Sequence, residues 1–301
     1  MKLIKPSAQI IEPTGYTIDD IYKSIELAGR VSHKSEDKIT ETSAKDFVGR
    51  MLNMKHLATC EFGTVYLKVP AGKYQFLDND YFDECDDIKD SFYSNPYTKI
   101  HCQEGYHYIS TNYRVLLENF SKEFISELLQ YLCEPTEYHH KRYTVKFILD
   151  RAIANEFVRH RKFSFLQEST RYCNYSKGKF NGELTFIQPI WTYHQEDGDY
   201  GTLGNLKRKN VGNKDGVFFD FIKSLQYAEH YYLTLVKQGW KAEEARNVLP
   251  LSLKTELYMC GFAEDWKKFF ELRCASNAHP QAKELAIPLK EEFIKRGYIN
   301  E

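Results

Sequence analysis

Apolar residues return at helical spacing along much of the chain. Residues 18–27 set the first such pattern: Ile21, Ile25 and Ala28 share one side behind Thr17, a hydroxyl residue placed to cap the first turn. Residues 43–56 predict a second helix, with Phe47, Met51, Leu52 and Met54 on or near one side. Residues 112–133 predict a third, with Leu116, Leu117, Phe120, Phe124, Leu128 and Leu129 in period. A long amphipathic helix is expected over 217–239, where Gly239 supplies a C-terminal stop. Shorter helical turns are expected over 242–246 and 251–259, around Pro250, and helices over 266–275 and 281–295. Strand signals are fewer. Residues 64–69 are β-branched and aromatic and stop at Pro70, and residues 184–187 stop ahead of Pro189. Residues 1–12 and 108–110 read as shorter strands, and residues 144–148 either form a strand or open a helix running through Ala152 and Glu156. This mixture, without regular βαβ spacing, predicts one compact α+β domain over residues 1–301. Two stretches interrupt it: an insertion at about 73–105 carrying the acidic run at 78–90, and a polar, Gly-rich loop at about 194–216.

Charge narrows the classes of function. The chain has 301 residues, with 41 Lys and Arg against 42 Asp and Glu, a formal charge of -1. A general polyanion binder needs an excess of cations facing phosphates, so nucleic acid is not the expected partner. No stretch of about 18 apolar residues is present, so no membrane span is expected. The first residues lack the long apolar core of a signal peptide. Cys60, Cys85, Cys102, Cys133, Cys173, Cys260 and Cys274 are scattered, with no CxxC pair. That pattern fits neither a zinc ribbon nor a disulfide framework, and it predicts a reduced, cytoplasmic setting. His139 and His140 are adjacent, so their side chains point apart, and no third ligand stands at zinc-site spacing; a surface role and no metal are expected.

The densest polar segment runs from Arg159 to Tyr172. It places three guanidiniums, an imidazole, several hydroxyls and the Gln167–Glu168 pair within a short reach. The planar fork of Arg fits phosphate and carboxylate groups bidentately. If the stretch is extended, Ser169 and Arg171 project to one face, ready for an oxyanion or phosphate.

Arg159-His160-Arg161, seven residues and then Ser169 is the signature that this chain shares with flavin-dependent thymidylate synthases, and the surrounding EFVRHRKFSFLQESTRYCNYSK resembles that family throughout. GRVSHKSED, HLATCEFGTVYLKV, ARNVLPLSLKTEL and FFELRCASNAHPQ are similar in the same order, so the resemblance leaves out only about residues 73–105 and 194–216. It implies a central, mostly antiparallel sheet flanked by helices and a homotetramer with shared active sites. It implies methylation of dUMP to dTMP, with FAD as cofactor and NADPH and 5,10-methylenetetrahydrofolate as co-substrates. By the same resemblance Arg159, His160, Arg161 and Gln167 line the flavin, with Ala58, Thr59 and Lys268 at further flavin-contacting positions. Glu156, Arg159, Gln167, Glu168, Ser169, Thr170 and Arg171 match the dUMP-contacting stretch. Arg246 matches an Arg that a second chain brings to the nucleotide. Arg273 matches the catalytic Arg that polarises the uracil. The chain departs from the family pattern at Phe62, where a His is usual, at Glu264, where an Arg is usual, and in the displaced His279.

Two other classes of function use the same residues. A nucleic-acid module would hold phosphates and stacked bases with the basic segment and the abundant aromatics. An enzyme with a thiolate nucleophile would use Cys173, whose pKa Arg171 would lower. A flavin mechanism needs neither.

Overall fold

Thr17 caps the first helix as expected, with its hydroxyl accepting from Asp20 N and the Asp20 carboxylate accepting in return. The computed structural model places residues 1–74, 77, 92, 95–192, 197–206 and 216–300. The acidic run at 78–90 and most of the loop at 194–216 lie outside the described residues. The N-terminal stretch makes two strands, β1 (Lys2–Ile4) and β2 (Ser7–Ile11), ahead of α1 (Ile18–Gly29) and α2 (Ser43–Asn53). Strand β3 (Thr64–Pro70) follows its pattern closely, while β4 (Lys99–Gln103) lies inside the expected insertion. Strand β5 (Tyr106–Asn112) leads into two short helices, α3 (Tyr113–Asn119) and α4 (Lys122–Leu128), in place of one long one. The break has a local cause: Phe120 is extended, and the Ser121 side chain caps a new helix by accepting from Phe124 N.

Residues 142–150 settle as strand β6 (Arg142–Asp150), and Asp150 then caps α5 (Arg151–Phe157). Beyond it come β7 (Ser164–Gln167), β8 (Thr185–Ile187) and the short strands β9 (Gly198–Asp199), β10 (Gly201–Thr202) and β11 (Asn205–Leu206). Helices α6 (Gly216–Lys237) and α7 (Ala242–Ala245) precede β12 (Lys254–Phe262), α8 (Ala263–Arg273) and α9 (Pro280–Lys295). Strand β12 corrects the helical turns expected over 251–259. It is joined along its whole length to β6 and through Leu257, Tyr258, Met259 and Cys260 to β7.

The main sheet has the order β2-β6-β12-β7 and every pairing in it is antiparallel. A second antiparallel sheet, β3-β5-β4, carries its own core. A third small sheet, β8-β1-β9, contains one parallel pairing, β1 with β8. The mostly antiparallel α+β expectation therefore holds.

Alternation across the main sheet explains how it is covered. Val145, Phe147 and Leu149 of β6, with Leu257 and Met259 of β12, face a core completed by Trp266, Phe269 and Phe270 of α8 and Leu285, Leu289 and Phe293 of α9. Across the sheet, Tyr258 and Cys260 of β12 pack with Ala28, Val31 and Phe62 near the end of α1. Glu256 and Lys146 project from the same side as Tyr258 and form an ion pair 2.8 Å long. Gly261 is required where Phe163 crosses β12, because a Cβ there would stand 2.5 Å from the Phe163 ring. Among the described residues, no helix is long and apolar enough to cross a membrane.

Candidate active site

Helix α5 ends at Phe157, two residues ahead of the signature. Phe157 and Phe163 are buried on either side of Arg159-His160-Arg161, and the turn between them is closed by His160 N to Phe157 O at 3.1 Å and Phe163 N to His160 O at 3.0 Å. The turn is thus pinned at both ends by apolar anchors. Arg159 and Arg161 are exposed, and among the described residues neither pairs with a carboxylate. His160 instead turns inward, with its ring edge-on to Phe269 at 5.0 Å.

Arg273, at the last turn of α8, meets this turn. Its Nε donates to His160 Nε2 at 3.0 Å, its Nη1 reaches Glu156 Oε2 at 2.7 Å, and its Nη2 donates to the Glu156 carbonyl at 2.7 Å. The guanidinium also lies 5.7 Å from the Phe157 ring centre. Glu156, His160 and Arg273, three of the residues that the resemblance singled out, therefore form one cluster within one chain. Their bonds fix the orientation of a partly exposed cation, the arrangement that stabilises charge as it develops on a bound ligand.

Arg273 donates to His160 Nε2, so that nitrogen carries no proton and a neutral ring holds its proton on Nδ1. Burial, reinforced by the adjacent Arg273 cation, lowers the His160 pKa from 6.5 to about 4. The unfolded chain therefore binds more protons than the folded one between pH 6.5 and about 4. The contribution of His160 to stability is complete above that window and is lost as pH falls through it. Thermal unfolding followed against pH should show this acid loss, and it should be smaller in His160→Asn, which keeps an acceptor for Arg273 but does not titrate.

The segment after β7 differs from the extended form expected. Residues 170–172 form a turn, in which the Ser169 hydroxyl accepts from Arg171 N at 3.1 Å and the Ser169 carbonyl accepts from Cys173 N at 2.9 Å. Ser169 and Arg171 are brought together by this turn, not by sharing a strand face. Arg171 is exposed and pairs with Glu243 at 3.0 Å. Arg246 Nη1 lies 3.5 Å from the Thr170 hydroxyl, so a single chain brings Arg246 to this turn without a second subunit. The Tyr172 ring stacks on His33 at 4.2 Å.

Glu168, expected to touch the nucleotide, is instead buried. Its side chain accepts from Tyr175 OH at 3.1 Å and pairs with Lys254 at 2.8 Å. Gln167 donates to the Thr255 hydroxyl at 3.2 Å. Thr59 is also buried and spends its hydroxyl proton on the His56 carbonyl at 2.9 Å, while Ala58 is exposed and offers no polar side-chain group. Lys268 is exposed on α8; Glu264, at the start of that helix, binds His140 and Lys99, which with its own helix N-terminus hold its carboxyl down at about 2. His279 caps α9. His139 does not lie at the surface as expected: it is buried, with Nε2 3.1 Å from the Leu67 carbonyl. Among the described residues, no group of three His, Cys, Asp or Glu is placed to hold a metal ion.

Among the described residues, no hydrogen bond or ion pair links the Glu156–His160–Arg273 cluster to the turn holding Ser169, Thr170, Arg171 and Arg246. The sequence did not mark Lys254, which pairs with Glu168, nor Glu256 and Lys34, which continue the array from Lys254. Lys34 stands in the GRVSHKSED segment and the other two in the ARNVLPLSLKTEL segment, but no spacing rule marks them as a group.

A model of the family described as thymidylate synthase complementing protein matches residues 97–296. A flavin-dependent thymidylate synthase of Synechocystis sp. is 26% identical over 164 residues, covering 50% of this chain and 66% of that protein. A probable flavin-dependent thymidylate synthase of Paramecium bursaria Chlorella virus 1 is 29% identical over 154 residues, again covering 50% of this chain and 66% of the relative. The chain thus spans just under two thirds of the length of these two curated relatives. Among solved structures, a UMP/dUMP methylase from Streptomyces cacaoi bound with 5-Br dUMP superposes with a TM-score of 0.42 at 17% identity, covering 98% of this chain and 93% of the other.

Proposed function

The chain belongs to the family of the thymidylate synthase complementing protein, and from that premise we propose that it converts dUMP to dTMP, with 5,10-methylenetetrahydrofolate as carbon donor, bound FAD and NADPH as reductant. The observation that carries this reading is Arg273 fixed by Glu156 and His160 of the signature. Uracil must become electron-rich at C5 before it can attack an electrophilic one-carbon unit. A guanidinium held against its O2/N3 edge favours that state, because the donor is oriented before charge develops. A neutral His160 serves this arrangement by accepting from Arg273. The turn at Ser169 offers a hydroxyl, and Arg171 and Arg246 offer the cations that suit a nucleotide phosphate.

The donor set also fits a flavin nucleotide. Arg159 and Arg161 present guanidiniums free of carboxylate partners among the described residues, and Lys268 adds an exposed cation. FAD supplies the redox chemistry when bound. The chain's own contribution is to bind, orient and stabilise charge.

The two unlinked clusters favour a site completed by another copy, in the homotetramer that the resemblance implies. The division then falls between Arg273 and the Ser169 turn, with Arg246 on the side of Ser169. The purified protein should be yellow, form dTMP from dUMP when all co-substrates are present, and lose flavin when the oligomer is dissociated. A colourless protein that forms no dTMP after FAD is added overturns the reading.

The thiolate alternative fails on geometry. Cys173 is buried, donates to the Ser32 carbonyl at 3.7 Å, and has its pKa pushed up to about 12 by burial and then by Glu168. Cys173→Ala should retain most turnover in a dTMP assay. A total loss, with dUMP and flavin still bound, would restore the thiolate mechanism. The nucleic-acid alternative loses the inward-turned His160 and has only the near-neutral overall charge to draw on.

A further inference from the structure

Buried charges gather behind the Ser169 turn. Lys254 Nζ lies 2.8 Å from Glu168 Oε2 and 2.6 Å from Glu256 Oε1. Glu256 also receives Lys34 at 2.9 Å and Lys146 at 2.8 Å, and Lys34 reaches Glu36 at 2.7 Å. Lys34, Lys146 and Lys254 thus face Glu36, Glu168 and Glu256, all buried or partly buried, and Glu36 also meets the exposed Lys179 at 3.6 Å. Burial by itself would raise the Glu256 pKa, but Lys254, Lys146 and Lys34 hold its carboxyl far below the ordinary range. Removing one partner of a buried charge lowers stability, because it leaves the ion less compensated.

The position of Lys34 gives this array a task. The backbone of Lys34 is left-handed, with φ of 50°, just past the short turn Arg30–His33. The carbonyl of Ser32 accepts from Ser169 N at 3.2 Å, and the His33 ring stacks on Tyr172. The two residues immediately before Lys34 therefore grip the turn at both ends. On the other strand, Glu168 N donates to the Glu256 carbonyl at 2.9 Å, and the Glu168 carbonyl accepts from Arg151 at 2.9 Å. The array joins both sides of the grip.

We propose that Lys34 is a positioning residue for the nucleotide turn: its ion pair with Glu256 fixes Ser32 and His33, which hold Ser169 and Tyr172 and so place the Ser169 hydroxyl and Arg171. The proposal rests on the reading of this turn as part of the dUMP site. Lys146 supplies the internal control, since it pairs with the same Glu256 from strand β6 and, among the described residues, makes no hydrogen bond or ion pair to Ser32, His33, Ser169 or Tyr172.

The test compares Lys34→Met, Lys34→Arg and Lys146→Met in the FAD-loaded enzyme. It measures dUMP binding by calorimetry, kcat and KM for dUMP, flavin content and thermal stability. Lys34→Met should weaken dUMP binding and raise its KM by about tenfold to a hundredfold, the range that small misplacements of a binding group produce. Flavin content and NADPH-dependent bleaching should stay at parent levels, and Lys34→Arg should recover most of the affinity. Lys146→Met should lower thermal stability while leaving KM near that of the parent. If Lys34→Met and Lys146→Met lose stability alike and both bind dUMP as the parent does, the array is only structural and the inference is overturned. If the parent itself binds no dUMP, the functional reading has failed, an outcome distinct from failure of the inference.

Discussion

Arg273→Ala should form dTMP about a hundred to a thousand times more slowly than the parent, the typical effect of removing one oriented donor from a site where charge develops. Each nitrogen of Arg273 makes one bond within the protein, to His160 Nε2 and to two oxygens of Glu156, and the second N–H of each Nη is left for a ligand. The substitution therefore also frees a carboxylate and an imidazole beside the proposed uracil position. Arg273→Lys keeps the charge but cannot make the three bonds together, so it should be impaired as well. Flavin content and its bleaching by NADPH, measured on the same preparations, separate the roles. A variant that forms dTMP at the parent rate removes Arg273 from the chemistry. One that loses its FAD makes Arg273 a cofactor anchor.

The second large effect concerns stability. Trp266 is fully buried, with the Phe163 ring at 4.8 Å, Phe293 at 5.2 Å, Phe269 at 5.4 Å and Phe270 at 5.9 Å, and its Nε1 donates to the Tyr143 carbonyl at 3.1 Å. Trp266→Ala should lower the free energy of unfolding by about 3–5 kcal/mol, through lost transfer energy and the cavity left behind. Trp266→Phe should lose less, since it keeps most of the ring contact. Urea unfolding of the two variants beside the parent checks the order. Equal stability of Trp266→Ala and parent would mean that this core can collapse around the gap.

Helices with one solvent face were legible in the sequence: α1, α2 and α6 fall where apolar spacing places them, with Thr17 ahead of α1 and Gly239 after α6. The hidden elements are those buried on both sides. Strand β12 has packing on each face of the main sheet, so Leu257, Tyr258, Met259 and Cys260 give a continuous apolar run with no alternation. Such a run cannot be told from a helical segment by periodicity alone. Its neighbour Pro250 favoured turns. The split between α3 and α4 was hidden differently: Phe120 keeps the helical period of its neighbours although its backbone is extended.

The candidate site divides along similar lines. Arg273, Glu156 and His160 were named through the resemblance, and the fold brings them into contact. Glu168 was named with them because it stands in the same segment, and segment alone does not tell which way a side chain faces. Its partner Lys254 lies 86 positions away in the chain. No local pattern records a pairing of that separation.

The pairing of β12 also has a consequence for the order in which the chain can fold during synthesis. Strands β3, β4 and β5 pair within residues 64–112, and their core runs from Ile21 to Leu128, so this unit is complete before β6 is made. Strand β6 can take up β2 on one edge early, but its other edge has to wait for residues 254–262, more than a hundred positions later. Until then a half-made sheet carries an open, apolar edge, the kind of surface that invites pairing with another nascent chain. The same late strand brings Lys254 and Glu256, so the support behind the nucleotide turn and the closure of the sheet are completed in a single step.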